Sequence, residues 1–220
     1  ETLGARVVRT DGPELLRIAH PDGLLLEHVT VSGISFELER KGSQGQVMQA
    51  MVAMDRCRNT SVERCVLHAR ALSQIAGMII TRCNDVSVMN CLVDNVQYGL
   101  WTAADTTGLT VAGNSFDATN GKKSDGGLVG LLLQDVSFPA RIEENRVLGF
   151  VFGIVLNNGL FTGVPFSLAA GSRIAGNYIV RLGAQVEAGT LKAFGIGVAA
   201  DDCVICDNIL LYASVEYGGI

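Results

Sequence analysis

Aspartate is the residue type in this sequence that is best suited to chemistry. It recurs along the chain at positions that we expect to begin the first turn of successive repeats, and two copies are adjacent: Asp55, Asp85, Asp105, Asp135, Asp201 and Asp202. Two carboxylates held close together can serve as a general acid and a general base. Four of these residues are therefore candidate catalytic groups: Asp105, Asp135, Asp201 and Asp202. The competing interpretation is structural, because Asp is also one of the residues that turns favour.

Four other residues are candidates for ligand binding. Trp101 is the one tryptophan of the chain, and its ring could stack on a sugar or anchor a protein partner. Lys122, Lys123 and Asp125 lie close together in a glycine-rich segment, where a lysine could neutralise a uronate. The competing interpretation is a solvated loop without a special function.

The elements that must position these residues follow from a repeat. A six-residue frame recurs as apolar, any, any, small polar or Cys, any, apolar. Its copies are residues 26–31, 62–67, 88–93, 111–116, 142–147, 174–179 and 205–210. The fourth position holds Val29, Cys65, Cys91, Asn114, Asn145, Asn177 and Asn208. The frame keeps its length in every copy, although the spacing between copies varies.

A second frame precedes most of these copies and reads aromatic or small residue, Gly, apolar, any, apolar. Clear examples begin at Tyr98, Phe152 and Phe194. Alternation of this kind is typical of short β-strands. Such strands bury their inner faces only by stacking on the next copy, so the repeat predicts a coiled parallel sheet. The four asparagines of the fourth position should then form a hydrogen-bonded ladder.

The same alignment places the cysteines. Cys65 and Cys91 share the fourth position with the asparagines, and Cys57 aligns with Cys83. Their side chains should point the same way on neighbouring coils, which favours buried, stacked, free thiols over disulfides. The six cysteines also lack the pattern of a secreted disulfide framework.

This repeat resembles the right-handed parallel β-helix superfamily, which has the pectate-lyase-like fold. The resemblance covers residues 13–220 and implies an all-β, right-handed parallel β-helix of about seven coils with three short strands per coil. We expect one such domain over residues 1–220, which is compatible with a fragment of a longer chain. The superfamily holds lyases, hydrolases, epimerases and binding scaffolds, so the resemblance does not specify one activity.

Enzymes of that superfamily usually work on the outer face of the first strand of each coil. Alternation places seven residues on this face: Arg17, Ala53, Ile79, Trp101, Leu132, Val155 and Gly197. This outer stripe is apolar, whereas a polysaccharide site needs carboxylates and basic residues there. Residues 158–171 form an unusually apolar loop, and we expect it, in the same chain or in a second subunit, to pack over Leu132 and Val155.

Several catalytic signatures of the superfamily are absent. The sequence lacks the Gly-His-Gly and Arg-Ile-Lys elements of polygalacturonases and the Asp-Pro-His-Asp element of alginate epimerases. The three histidines, His20, His28 and His68, fall in different turns and share no spacing typical of a metal site or a triad. Ca²⁺ is compatible with carboxylate ligands, but no motif supports it. The sequence therefore predicts no metal and no cofactor.

Composition narrows the partners. The 220 residues carry a net charge of −5, which argues against nucleic acid as a partner. The longest uncharged stretch contains several glycines and a proline, so no membrane span is predicted. The remaining partners are a glycan, or a second copy bound through the outer stripe and residues 158–171. The fold resemblance favours an extracellular or cell-envelope location, and free cysteines weigh mildly against it, so localisation stays open.

These observations favour a β-helix domain with a glycan-binding or scaffold role. The alternative is a polysaccharide lyase, hydrolase or epimerase that acts on an acidic glycan with Asp residues beside the first-strand face. The missing signatures and the apolar outer stripe favour the role without catalysis.

Overall fold

The protein is a coil of short parallel β-strands. The computed structural model describes residues 6–9, 14–20, 22–38, 50–119, 127–137, 139–156, 170–182, 195–198 and 202–213. Within these ranges the regular elements are all strands. In chain order they are β1 (Arg6–Arg9), β2 (Glu14–Ile18), β3 (Leu26–Glu27), β4 (Thr30–Ser32), β5 (Ser35–Leu38), β6 (Ala50–Asp55), β7 (Cys57–Glu63), β8 (Val66–Thr81), β9 (Asn84–Met89), β10 (Leu92–Ala103), β11 (Thr106–Thr107), β12 (Thr110–Ala112), β13 (Ser115–Asp117), β14 (Gly127–Leu133), β15 (Val136–Ser137), β16 (Arg141–Glu143), β17 (Arg146–Leu148), β18 (Phe150–Leu156), β19 (Arg173–Ala175), β20 (Tyr178–Leu182), β21 (Ile196–Val198), β22 (Val204–Cys206) and β23 (Ile209–Ala213).

The strands stack in three columns, and their pairing is parallel throughout the described residues. The first column runs β2, β6, β8, β10, β14, β18 and β21, so it defines seven coils. The second column contains β3 and β4, then β7, β9, β11 and β12, β15 and β16, β19 and β22. The third column runs β1, β5, β8, β10, β13, β17, β20 and β23. The expected all-β parallel β-helix of about seven coils is confirmed.

Two features of the columns differ from the expectation of three separate short strands. Strands β8 and β10 each continue from the third column of one coil into the first column of the next coil. Strand β1 pairs with β5 and adds a rung to the third column before the first complete coil. The first six-residue frame had placed no strand there.

A residue in the left-handed region of backbone space ends the second strand of every coil. These residues immediately precede the fourth frame position and have positive φ: Gly33, Arg64, Asn90, Gly113, Glu144, Gly176 and Asp207. A single left-handed residue turns the chain sharply without adding length. The turn therefore has the same shape whether the residue is glycine or a charged residue, and the frame cannot gain or lose a position.

The register corrects the first copy of the frame. Val31 pairs with Val62, so the first copy spans residues 31–36 and not 26–31. Ile34, not Val29, precedes the third strand at the fourth position, since Ser35 pairs with Val66. The two positions are alike because Val29 also follows a left-handed residue, His28, at the bend between β3 and β4.

The asparagine ladder is present at the fourth position. The Oδ1 of Asn145 accepts hydrogen bonds from the backbone N of Asn114 at 3.1 Å and from its Nδ2 at 3.0 Å. Asn177 and Asn208 repeat this arrangement on the following coils. The Nδ2 of Asn145 also donates to the carbonyl oxygen of Val111 at 2.8 Å. Each amide thus satisfies backbone groups that the turn would otherwise leave buried and unpaired.

The thiols continue this column and are free, as expected. Cys65 and Cys91 are buried and unoxidised, and the backbone N of Cys91 donates to Asn114 Oδ1 at 2.8 Å. Contact with Cys65 raises the pKa of the Cys91 thiol. In the other aligned pair, the backbone N of Cys57 donates to Cys83 Sγ at 3.4 Å, and burial raises the pKa of Cys83 to about 12. Contact with Cys91 lowers the pKa of Cys65, so of these two pairs it is Cys83 and Cys91, whose pKa values are raised, that are poor nucleophiles on this ground.

Glycines form a further column where the third strand bends into the first. Gly77, Gly99, Gly130 and Gly153 face inward on successive coils, and a Cβ on Gly99 would collide with the carbonyl oxygen of Gly130. It would also lie 2.6 Å from the ring of Phe116. The second sequence frame therefore requires glycine for space, because the next coil and the core side chains leave no room for a Cβ at this corner.

Replacing Asn145 by Ala should lower the free energy of unfolding by about 1–3 kcal/mol, because the backbone N–H of Asn114 and the carbonyl of Val111 lose their partners. Chemical denaturation measures the change. Asn208→Ala is the matched control: Asn208 is only partly buried at the last described rung, so its loss should be smaller. Equal stability of wild type and Asn145→Ala would contradict the role of the ladder.

Replacing Gly99 by Ala should destabilise the fold by about 2–3 kcal/mol, because the methyl group overpacks the corner. Gly33→Ala is the control: nothing lies within 4 Å of its Cβ position, and its φ of +70° leaves only a backbone penalty. That penalty is about 1 kcal/mol. Thermal denaturation should rank the Gly99 variant clearly below the Gly33 variant, and the reverse order would refute the steric argument.

Candidate functional site

The outer stripe of the first strands lies where alternation placed it. The register aligns Arg17 with Ala53, Ala53 with Ile79, and Ile79 with Trp101. It continues through Leu132 and Val155 to Gly197. The neighbouring residues Leu100, Leu131 and Ile154 are fully buried in the core, which confirms that the stripe faces outward.

The glycine corner adds a second outward row to this face. Gly99 and Leu100 both face inward, so the strict alternation is interrupted and Tyr98 comes to the outer side. The rings of Tyr98 and Trp101 stack with centroids 5.7 Å apart and an angle of 26° between their planes. On the next two coils, Val129 and Phe152 occupy the row of Tyr98. Together these residues form an apolar surface outside the coil.

Trp101 is held from two sides. Its ring packs on Tyr98, and its Nε1 donates a hydrogen bond of 3.0 Å to Oε1 of Gln134 on the next coil. Gln134 is itself fixed through its backbone, because the Oγ1 of Thr102 donates to its carbonyl oxygen at 2.9 Å. The indole is partly buried, so one part of it remains accessible. We call Tyr98, Trp101 and Gln134 the aromatic platform.

Beyond the aromatic platform, the outer face of the first strands is buried on the next two coils. Leu132 and Val155 are 3% and 0% exposed, and with Val129 and Phe152 they form a small apolar cluster of their own. An open groove at these two coils is therefore ruled out. The loop expected to cover them is residues 158–171, of which 158–169 lie outside the described residues, so that contact and self-association through the loop stay predictions.

Asp105 and Asp135 are neighbours on adjacent coils. Thr106 pairs with Val136, so the two aspartates occupy equivalent positions on adjacent rungs. Both side chains are exposed, and both residues have left-handed backbones, with φ of 40° and 50°. Asp135 directly follows Gln134 in sequence, which places this acidic edge beside the aromatic platform. Their catalytic role stays a prediction.

The remaining aspartates do not belong to one stripe. Asp55 ends β6 and forms a two-point ion pair, accepting from Arg82 Nε at 2.9 Å and from Arg82 Nη2 at 2.7 Å. Asp85 and Asp202 lie at a bend within the second column, where both have positive φ. Asp202 is exposed and distant in register from Asp105 and Asp135. The alignment of all six aspartates at the first turn is therefore wrong.

Four candidate residues cannot be placed. Asp201, Lys122, Lys123 and Asp125 lie outside the described residues. Their roles in catalysis or binding remain sequence predictions.

A row of ionisable residues that the sequence analysis missed lies on the outer face of the third column. The register aligns Glu37 with His68, His68 with Asp94, and Asp94 with Asp117. His68 Nδ1 lies 2.7 Å from Asp94 Oδ1, and Asp94 is only 17% exposed. Asp117 Oδ1 accepts from the backbone N of Thr119 at 2.8 Å. His68 lies on strand β8, so its assignment to a turn is wrong.

The frame contained a signal for this row. Each of the four residues directly follows the last apolar residue of its frame copy, after Phe36, Leu67, Val93 and Phe116. An outward position that is ionisable on consecutive coils predicts contact between neighbouring charges. The spacing of the three histidines from one another does not reveal this row, because the partners of His68 are the acidic residues at the same frame position.

The environment of this row shifts the pKa of Asp94. Burial raises the pKa of Asp94 above its ordinary value of 3.8, the hydrogen bond and charge of His68 lower it, and Asp117 raises it further. Burial likewise raises the pKa of Tyr98 in the platform.

Among the described residues, no group of three or more His, Cys, Asp and Glu side chains is arranged to hold a metal ion. The part of the chain that the structure describes contains no helix long and apolar enough to cross a membrane.

Comparison with known proteins does not identify a family for this chain. No family model matches the chain, and no curated protein matches it. Among solved structures, the chain is similar to QnrB1, a plasmid-mediated fluoroquinolone resistance protein, with 9% sequence identity and a TM-score of 0.18. The match covers 86% of this chain and 91% of that chain. A similarity at this level carries no argument for function.

The raised pKa of Asp94 predicts a pH-dependent stability. A folded-state pKa above the unfolded value gives stability that is fully present below about pH 3.8 and is lost as the pH rises through the folded pKa. Relative to Asp94→Asn, the wild type should therefore gain unfolding free energy as the pH falls from 7 toward 4. Denaturant titrations at several pH values measure the difference.

The matched control is His68→Gln, made in both backgrounds. His68 lowers the pKa of Asp94, so its removal should move the pH-dependent difference to higher pH. If wild type and Asp94→Asn give parallel stability curves from pH 4 to 7, the burial of a titrating Asp94 is contradicted.

Proposed function

We propose that this chain is a carbohydrate-binding β-helix domain of the pectate-lyase-like superfamily, and that it binds a glycan on the aromatic platform. One observation carries the proposal: two stacked aromatic rings, partly accessible, lie on the outer face of the first strands, where that superfamily binds its ligands. The repeat of three strand columns and the asparagine ladder support the superfamily assignment.

The chemistry of the platform suits a sugar. The apolar faces of sugar rings pack on aromatic rings, while their hydroxyl groups need a few directed polar partners at the edge. The platform supplies the rings of Tyr98 and Trp101, together with the amide of Gln134. Ile79 precedes Trp101 on the same face and is also partly buried, so the apolar surface extends by at least one coil.

The local geometry favours binding over catalysis. Acid–base catalysis of glycoside cleavage needs two carboxylates directed at one bond, one of them kept protonated by its surroundings. Asp105 and Asp135 are exposed residues of left-handed turns at the edge of the platform. Asp55, the other aspartate at this face, is engaged by Arg82. A lyase, hydrolase or epimerase therefore remains the alternative, supported by the register of Asp105 and Asp135 alone.

The single tryptophan makes the proposal testable in the unlabelled protein. Titration with neutral oligosaccharides should change the emission of Trp101, because ligand contact removes water from the indole. Tyr98→Ala should weaken the affinity by about tenfold through the loss of one stacking partner, while Trp101 still reports binding. Isothermal titration calorimetry gives an independent affinity.

The control is Tyr178→Ala, which removes a partly buried tyrosine of β20 on another face. Its affinity should equal that of the wild type. If no glycan changes the emission of Trp101 at millimolar concentration, the scaffold role replaces the binding role. If the oligosaccharide is cleaved during the titration, the enzyme alternative is correct.

A further inference from the structure

Gln134 is the most constrained polar side chain of the platform. Only 8% of this residue is exposed. An indole N–H can only donate, so the amide oxygen Oε1 must face Trp101 and the amide nitrogen Nε2 must face away from it. The hydrogen bond of 3.0 Å fixes this orientation.

The amide nitrogen of Gln134 has no hydrogen-bond partner among the residues that the structure describes. Nε2 makes no hydrogen bond in the described part of the chain. It is also not enclosed, because Asn95 Oδ1 is the one enclosed side-chain polar atom of the described residues without a partner. A side chain that is more than nine-tenths buried thus presents, at the edge of the Trp101 ring, two N–H groups that no described residue accepts. Such a preorganised donor costs little to use in binding.

The two charged residues beside this donor are both acidic, while the cation on the rung before Asp105, Arg82, is paired with Asp55. Asp105 and Asp135 lie on adjacent rungs next to Gln134, and both are exposed. Neither takes part in an ion pair with the described residues. Parallel strands are about 4.8 Å apart, so two negative charges stand close together at this edge. An anionic sugar would be repelled here, whereas a neutral one would not.

We infer, on the basis of the proposed function, that Gln134 is a specificity-determining residue and that the ligand is a neutral glycan. The Nε2 of Gln134 donates to an oxygen acceptor of the sugar, a hydroxyl or an acetamido carbonyl, while the ring packs on Trp101. The acidic edge excludes uronic acids. This assignment opposes the acidic glycan that the fold resemblance suggested.

Gln134→Glu tests the donor with little change of shape. A glutamate keeps an oxygen acceptor for the indole of Trp101, but it replaces the donor by a second acceptor. Neutral tetrasaccharides, one built from glucose and one N-acetylated, are the probes, and Trp101 emission is the readout. The affinity for the better probe should fall by about tenfold or more, as expected when a hydrogen bond made by a buried group is lost.

Gln97→Glu is the matched control. It adds the same charge next to Tyr98, but the structure gives Gln97 no bond to Trp101, so it should weaken binding far less. Gln134→Met keeps the volume and removes the whole amide; it should lose as much affinity and should also alter the emission of unliganded Trp101. This second variant keeps the test decisive if Gln134→Glu folds poorly.

The charge argument has its own test. At low ionic strength, wild type should bind the neutral tetrasaccharide at least about tenfold more tightly than an oligogalacturonate of the same length. The double variant Asp105→Asn with Asp135→Asn should narrow this ratio, and asparagine tolerates the left-handed backbone of both positions.

The outcomes separate the two proposals. If wild type binds no glycan, the proposed function fails and this inference fails with it. If wild type binds a glycan but both Gln134 variants bind it equally well, the platform binds sugars and Gln134 does not determine specificity. If the oligogalacturonate binds as tightly as the neutral probe, the exclusion of acidic sugars is wrong.

Discussion

The fold depends on one constraint, namely that the chain must return to the same position after every coil. A left-handed residue and the amide or thiol that follows it meet this constraint together. The left-handed residue makes the turn short and fixed, and the amide of Asn145 or its equivalents satisfies the backbone groups that the turn buries. Because every coil turns in the same way, inward side chains align into columns, and the core forms by stacking.

The outward side chains align into rows for the same reason. Any outward position of the frame becomes a row of side chains one strand spacing apart, whether or not the row has a function. The salt bridge of Asp55 with Arg82 and the contact of His68 with Asp94 both join equivalent or adjacent positions of neighbouring coils. A charged pair on such a surface therefore indicates contact between neighbouring coils and is not by itself evidence of a functional site. The aromatic platform differs because its buried amide, that of Gln134, has a donor without a partner among the described residues.

The sequence predicts the repeating part of the structure well, since the frame is itself a record of inward and outward positions. The asparagine ladder, the free stacked thiols and the outward stripe from Arg17 to Gly197 all follow from it. Prediction fails where two local patterns look alike. His28–Val29 and Gly33–Ile34 both place an apolar residue after a left-handed one, and only the register shows that the second belongs to the ladder.

The site is less predictable, because it depends on departures from the repeat. Alternation counted from Trp101 places Tyr98 inside the coil, and only the extra inward residue at Gly99 brings the two rings together. Gln134 stands in no frame, and its partner is 33 residues away in sequence. Asp85 and Asp202 looked equivalent to Asp105 because turns of different kinds favour the same residue type.

The ladder also determines how a chain of this kind can change its length. Consecutive ladder residues are separated by 23 residues between Cys91 and Asn114 and by 31 between Asn114 and Asn145, yet the corresponding hydrogen bonds measure 2.8 and 3.1 Å. Insertions and deletions between frames leave the stack unchanged, because closing a longer loop costs little extra entropy. A single residue gained inside a frame would reverse the inward and outward faces of the strand that follows. Natural variation in related chains should therefore accumulate in the connections between frames, or remove and duplicate whole coils.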